Sequence, residues 1–224
     1  MDTANGTGHQ SGVAGNTFHP ALQFIARLVS TLFHPLFLPV YVSWFLMYTT
    51  PLFTGLDARD KLFLLIRFFV MYTVFPLVTV LLAKGLGFVE SIYLRTQRDR
   101  IIPYVACGVY YFWMWYVLRN QPQFPKELVM LSLAIFIASS IGLILNSYLK
   151  ISMHGISLGV MIAFICIVGL LSDINFGPYI SIALVVVGMV STARLINSDH
   201  HPVEVYLGLA AGIAGSIISY GFVY

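Results

Sequence analysis

The chain has 224 residues, of which 58% are hydrophobic and only 9% charged, and its mean hydropathy is +0.86. A water-soluble domain carries charge on about a quarter of its residues, so a soluble fold is excluded. The net charge of +3 is too small for a nucleic-acid footprint, and Cys107 and Cys166 both fall in apolar runs, as packing residues do.

Residues 1–17, rich in Gly, Asn, Thr and Ser, predict a disordered tail, without the basic start and apolar run of a cleaved signal peptide. Residues 18–33 are apolar but carry Arg27, which is costly at mid-bilayer, and His34-Pro35 closes the segment. A short interfacial helix is predicted there. Apolar runs long enough to cross a bilayer then recur, at roughly 36–54, 62–83, 101–118, 128–148, 155–172, 178–193 and 203–224. Residues 18–224 therefore predict one all-α domain, a polytopic transmembrane bundle of about six to seven spans.

Alternation of these spans places the loops at 84–100, 149–154 and 194–202 on one face, with the N-terminal tail. The loops at 55–61, 119–127 and 173–177 fall on the other. The first face collects Lys84, Arg95, Arg98, Arg100, Lys150, His154, Arg194, Asp199, His200, His201 and Glu204. The second holds a sparse mixture of both signs. Nothing about chain order requires that asymmetry.

The most informative stretch is residues 191–212, STARLINSDHHPVEVYLGLAAG, in which Arg194 is followed by His200 after six residues and by Glu204 after four more. Pro202, Gly208 and Gly212 extend the pattern. It resembles the third signature of the type 2 phosphatidic acid phosphatase superfamily, with Glu204 for the usual Asp and Ala193 for the usual Ser. Residues 150–155, KISMHG, resemble the second signature, keeping Ser152 and His154 but with Ile151 and Met153 at its Pro and Gly positions. The first signature is poorly matched; the nearest segment is Arg95-Thr-Gln-Arg98-Asp-Arg100, which supplies cations without the spacing. The resemblance covers about residues 84–212.

The chemistry accounts for these residue types. A phosphomonoester dianion needs fixed cations around its oxygens, and arginine offers bidentate donors. Neutral histidine attacks phosphorus well when a carboxylate orients its ring, and Glu204, four residues after His200, lies within reach on a helix. A second imidazole must protonate the leaving alkoxide, and His154 fits that role. The resemblance implies that Arg194 and Arg100 hold phosphoryl oxygens, with Lys150, Ser152 and the backbone near Gly155 assisting. It further implies a bacterial inner-membrane enzyme, with its active face often extracytoplasmic, acting on a polyprenyl diphosphate or phosphatidyl phosphate. No cofactor is expected, and no acidic cluster suited to a metal is visible. The expected partners are the lipid phosphate, membrane lipids, and other membrane proteins or further copies of the chain.

Plainer readings stand beside each residue. Arg194 can snorkel at a span end, His154 can bond a backbone carbonyl, and His201 can cap the last helix with Glu204 favouring its positive end. His9, His19 and His34 are read as incidental or structural. The functional alternative is an inactive family member serving as a subunit of a membrane assembly, supported by the altered first and second signatures. A transporter is disfavoured, because charge gathers at span ends and not in broken mid-membrane helices.

Overall fold

The computed structural model describes residues 18–92, 94, 96–197 and 200–224; the tail predicted for 1–17 lies outside them. The described residues form helices and no strands. The helices are α1 (Pro20–Leu32), α2 (Leu38–Thr49), α3 (Ala58–Phe69), α4 (Phe75–Gly85), α5 (Gln97–Arg119), α6 (Lys126–Asn146), α7 (Met153–Leu171), α8 (Gly177–Ile196) and α9 (Pro202–Val223). Six are long and apolar enough to cross a membrane, with α3 and α4 counted together as the continuous run Ala58–Gly85. The protein is an all-α membrane-integral bundle.

The join between α3 and α4 follows from one residue. Pro76 lacks the N–H that an α-helix needs at that position, and the ladder slips into a π turn at Val70–Val74, where the Phe75 N–H donates to the Val70 carbonyl five residues back. The Thr73 hydroxyl at this turn donates to the Leu36 carbonyl at 2.7 Å, which fixes the segment leading into α2.

The span drawn at 36–54 needs correction. Its helix, α2, has 12 residues, or about 18 Å, against the ~30 Å of a hydrocarbon core. Pro51 ends it: Thr50 takes the extended conformation that a residue before proline prefers, and a 3-10 turn follows at Pro51–Phe53. The segment still joins the two ends of the bundle, because His34 touches His154 at one end while Thr50 lines a cavity with Glu127 and Asp173 at the other. The alternation of loops between faces therefore survives. α1, at 13 residues and about 20 Å, is also too short to cross. It packs on α8 through buried Ala26 and Ser30, leaving Arg27 exposed beside Phe24, Ile25 and Leu28.

The core is α6, α7 and α9, packed through small residues. Gly155 and Gly159 on α7 meet Gly208 and Gly212 on α9 so closely that a Cβ on Gly159 would lie 2.1 Å from the Leu209 carbonyl, and one on Gly212 would lie 2.1 Å from that of Ile156. Gly215 meets Ala138 of α6 in the same way. Without a hydrophobic drive between helices in lipid, such close approach supplies the dispersion contacts that hold them together. It also brings the beginnings of α7 and α9 side by side, and this sets up the site.

Candidate active site

The loops predicted to share a face do so. The Ser152 N–H donates to the Glu204 carbonyl at 3.1 Å, joining the start of α7 to that of α9. The Gln97 side chain donates to the Asn146 carbonyl and the Asn146 side chain to that of Gln97, each at 2.9 Å, joining the start of α5 to the end of α6. Between these ties lie most of the charged and imidazole groups singled out from the sequence.

His200 sits just before α9, its side chain almost wholly buried, with Nδ1 2.6 Å from Glu204 Oε2. Their apposition does not come from two successive turns of one helix. His200 lies outside the helix, and Glu204, in the first turn, reaches back across the N-terminus to it. The same Oε2 accepts the backbone N–H of His201 at 3.3 Å. His201 is the N-cap of α9, as the plainer reading expected, and its own side chain is exposed.

Burial is the main cause that lowers the pKa of His200, to about 4; the hydrogen bond and charge of Glu204 oppose the shift, and the charges of Arg100 and Arg194 add to it. At neutral pH the ring is uncharged, donates Nδ1–H to the carboxylate and keeps a lone pair on Nε2.

Arg194, in the last turn of α8, lies within Coulombic reach of His200, His154 and His34. Arg100, in the first turn of α5, is 5% exposed; its Nε donates to the Leu94 carbonyl at 2.9 Å and an Nη to the Ile151 carbonyl at 2.6 Å. It thereby clamps the segment carrying Lys150, which is half-buried. Arg98 is exposed and Arg95 lies outside the described residues, as does Asp199.

Two of the assisting positions serve the helix. The hydroxyl of Ser152, the N-cap of α7, accepts the Gly155 N–H at 3.3 Å. A Cβ on Gly155 would meet the Val205 carbonyl at 2.6 Å, so this glycine is needed for close approach to α9. The N-termini of α7 and α9 still point their positive dipole ends toward one region, beside two arginines.

His154, in the first turn of α7, places Nε2 3.0 Å from the Ser30 carbonyl. A carbonyl only accepts, so Nε2 carries the proton and Nδ1 is left for exchange. Sequence reasoning missed His34: its ring packs edge-on to that of His154, with centroids 5.5 Å apart. Burial, then the charge of Arg194, lowers its pKa to about 4. No local signal marks it, because the contact spans 120 residues of chain and depends on how α1 docks. Buried Asp99 was also missed; it accepts the Glu90 N–H at 2.9 Å and anchors the loop before α5.

Among the described residues no three His, Cys, Asp or Glu side chains are grouped so as to hold a metal ion. No protein-family model, curated protein or solved structure matches the chain.

Proposed function

We propose that this protein removes phosphate from a lipid through a phosphohistidine on His200, as the resemblance of residues 191–212 to the type 2 phosphatidic acid phosphatases implies. The observation that carries this reading is the buried His200–Glu204 pair, 2.6 Å apart, beside two arginines. A neutral imidazole with Nδ1–H given to a carboxylate has its Nε2 lone pair ready for attack. The carboxylate then stabilises the cation that forms as the N–P bond is made.

In the first step His200 Nε2 bonds to the terminal phosphorus and the P–O bond to the lipid alcohol, or to the lipid monophosphate where the substrate is a diphosphate, breaks. The leaving oxygen takes a proton from His154. Since Nε2 of that ring is held by Ser30, the transferred proton sits on Nδ1, where the arriving dianion favours it. In the second step water attacks the phosphohistidine, His154 Nδ1 accepts its proton, and inorganic phosphate departs. Arg194 and Arg100 oppose the dianion's charge throughout. The lipid tail stays in the bilayer, against the exposed apolar flanks of the helices.

One observation favours the alternative of an inactive subunit. Two donors of Arg100 and the hydroxyl of Ser152 bond the protein's own backbone, as parts of a purely structural clasp would. Purified protein is to be assayed for phosphate release from a panel of lipid phosphates and polyprenyl diphosphates, without added divalent metal and with chelator present. Release from at least one lipid, with an acid-labile phosphoryl group trapped on His200, is expected. Absence of release from every lipid gives the lead to the subunit reading, and release that requires magnesium refutes the mechanism.

A further inference from the structure

The end of the bundle opposite the histidines holds a second cavity, of about 800 Å³, between the last turns of α5, the first turns of α6 and the end of α9. Its walls are apolar and aromatic: Phe112 and Trp115 from α5, Leu133 and Phe136 from α6, and Phe222 from α9. Its rim is cationic. Arg119 closes α5 and Lys126 opens α6, and both border the cavity. The Arg119 guanidinium lies 5.3 Å from the centre of the Trp115 ring, and Lys126 Nζ lies 5.3 Å from that of Tyr224. The acid next along α6, Glu127, accepts the Tyr224 hydroxyl at 2.8 Å and borders a different cavity.

The depth of this groove selects its occupant. From Lys126 to Ile137, the deepest lining residue on α6, the helix rises about 16 Å, close to half of a ~30 Å hydrocarbon core. The groove therefore starts at the membrane boundary and stops near the midplane. A partner helix would continue across the bilayer, whereas one lipid fills a single leaflet. The rim is positive on both sides, which suits a phosphate.

We propose that this groove binds one anionic phospholipid of the leaflet opposite the histidine site, with an acyl chain along the aromatic wall and its phosphate between Arg119 and Lys126. No residue of the candidate active site takes part, so the proposal stands or falls independently of any phosphatase activity. Each cation near a headgroup favours an anionic lipid about fivefold, so the pair gives a preference of roughly ten- to thirtyfold over a zwitterionic lipid.

Trp115 in the wall is a built-in reporter. The other two tryptophans, Trp44 and Trp113, are more than half exposed, and Trp44→Phe with Trp113→Phe leaves Trp115 alone. This form is reconstituted into phosphatidylcholine vesicles carrying increasing fractions of dibrominated phosphatidylglycerol or dibrominated phosphatidylcholine. Half-maximal quenching of Trp115 is expected at a mole fraction roughly ten- to thirtyfold lower for the anionic lipid. Adding Arg119→Gln and Lys126→Gln should bring the two curves together. Raising salt from about 50 to 500 mM should narrow the preference without any change at the rim. Coincident curves in the parent, or a preference that survives both the rim substitutions and salt, overturn the proposal. Failure of both lipids to quench also overturns it, since protein would then cover the groove.

Discussion

Glu204→Gln separates charge from geometry at the candidate nucleophile. Both hydrogen bonds to this side chain, from His200 Nδ1 at 2.6 Å and from the His201 N–H at 3.3 Å, end on the same oxygen, Oε2. A glutamine oxygen in that place keeps both, so the ring stays oriented and the N-terminus of α9 stays capped. What disappears is the negative charge that would face the imidazolium formed during attack. Two unit charges about 4 Å apart at an effective dielectric of ~20 interact by roughly 4 kcal/mol. Losing that in the transition state slows phosphohistidine formation by up to about a thousandfold. The assay is single-turnover formation of the acid-labile adduct on a lipid phosphate, beside a thermal melt in detergent. The melt should barely move, whereas Glu204→Ala, which strands the buried His200 Nδ1–H and removes the acceptor at the start of α9, should lower it. A Glu204→Gln protein that forms the adduct at the parent rate would refute the role given to this carboxylate.

The pH dependence of kcat/KM carries the same signature. Burial holds the pKa of His200 below its ordinary value, at about 4, so the nucleophile is neutral above that pH; activity should persist through pH 5 and fall as pH drops through about 4. Once the substrate phosphate's own ionisation at pH ~6, which kcat/KM also reports, is divided out, an acid limb centred near 6.5, the value of an unperturbed imidazole, contradicts it. His201→Ala should retain most turnover, because that residue contributes a backbone N–H, while His154→Ala should slow adduct formation about a hundredfold or more. Equal losses in the two variants would mean the residues are assigned wrongly. At the α7–α9 crossing, Gly212→Ala should destabilise the fold by about 2–3 kcal/mol in detergent unfolding, since its Cβ meets main chain at 2.1 Å. Gly188→Ala, with nothing within 4 Å, should be neutral or slightly stabilising, and similar melts for both would show that the crossing is looser than described.

Membrane class, helix content and the gathering of charge on one end were legible in the sequence because each depends on local quantities. An apolar run of about twenty residues must form a helix in lipid to satisfy its own backbone, whatever its neighbours do. Alternation of such runs then sorts the loops, and so places Arg100, His154, Arg194, His200 and Glu204 on one face without reference to packing. The spacing of His200 and Glu204 was legible too, although the reach across a helix start, and not a shared helical face, brings them together. Tertiary structure decided the rest. That α2 stops after 12 residues rests on Pro51, but that its segment still joins the two ends depends on the docking of His34 and Thr50. The structural roles of Gly155 and Ser152 come from the α7–α9 crossing, which leaves no room for a Cβ, and from the α7 N-terminus, which needs a cap. His34 beside His154, the Ser30 carbonyl that fixes the His154 tautomer, and the groove below Arg119 and Lys126 all bring together residues far apart in the chain. No periodicity within a single helix encodes which face of another helix it will meet, and only packing decides that.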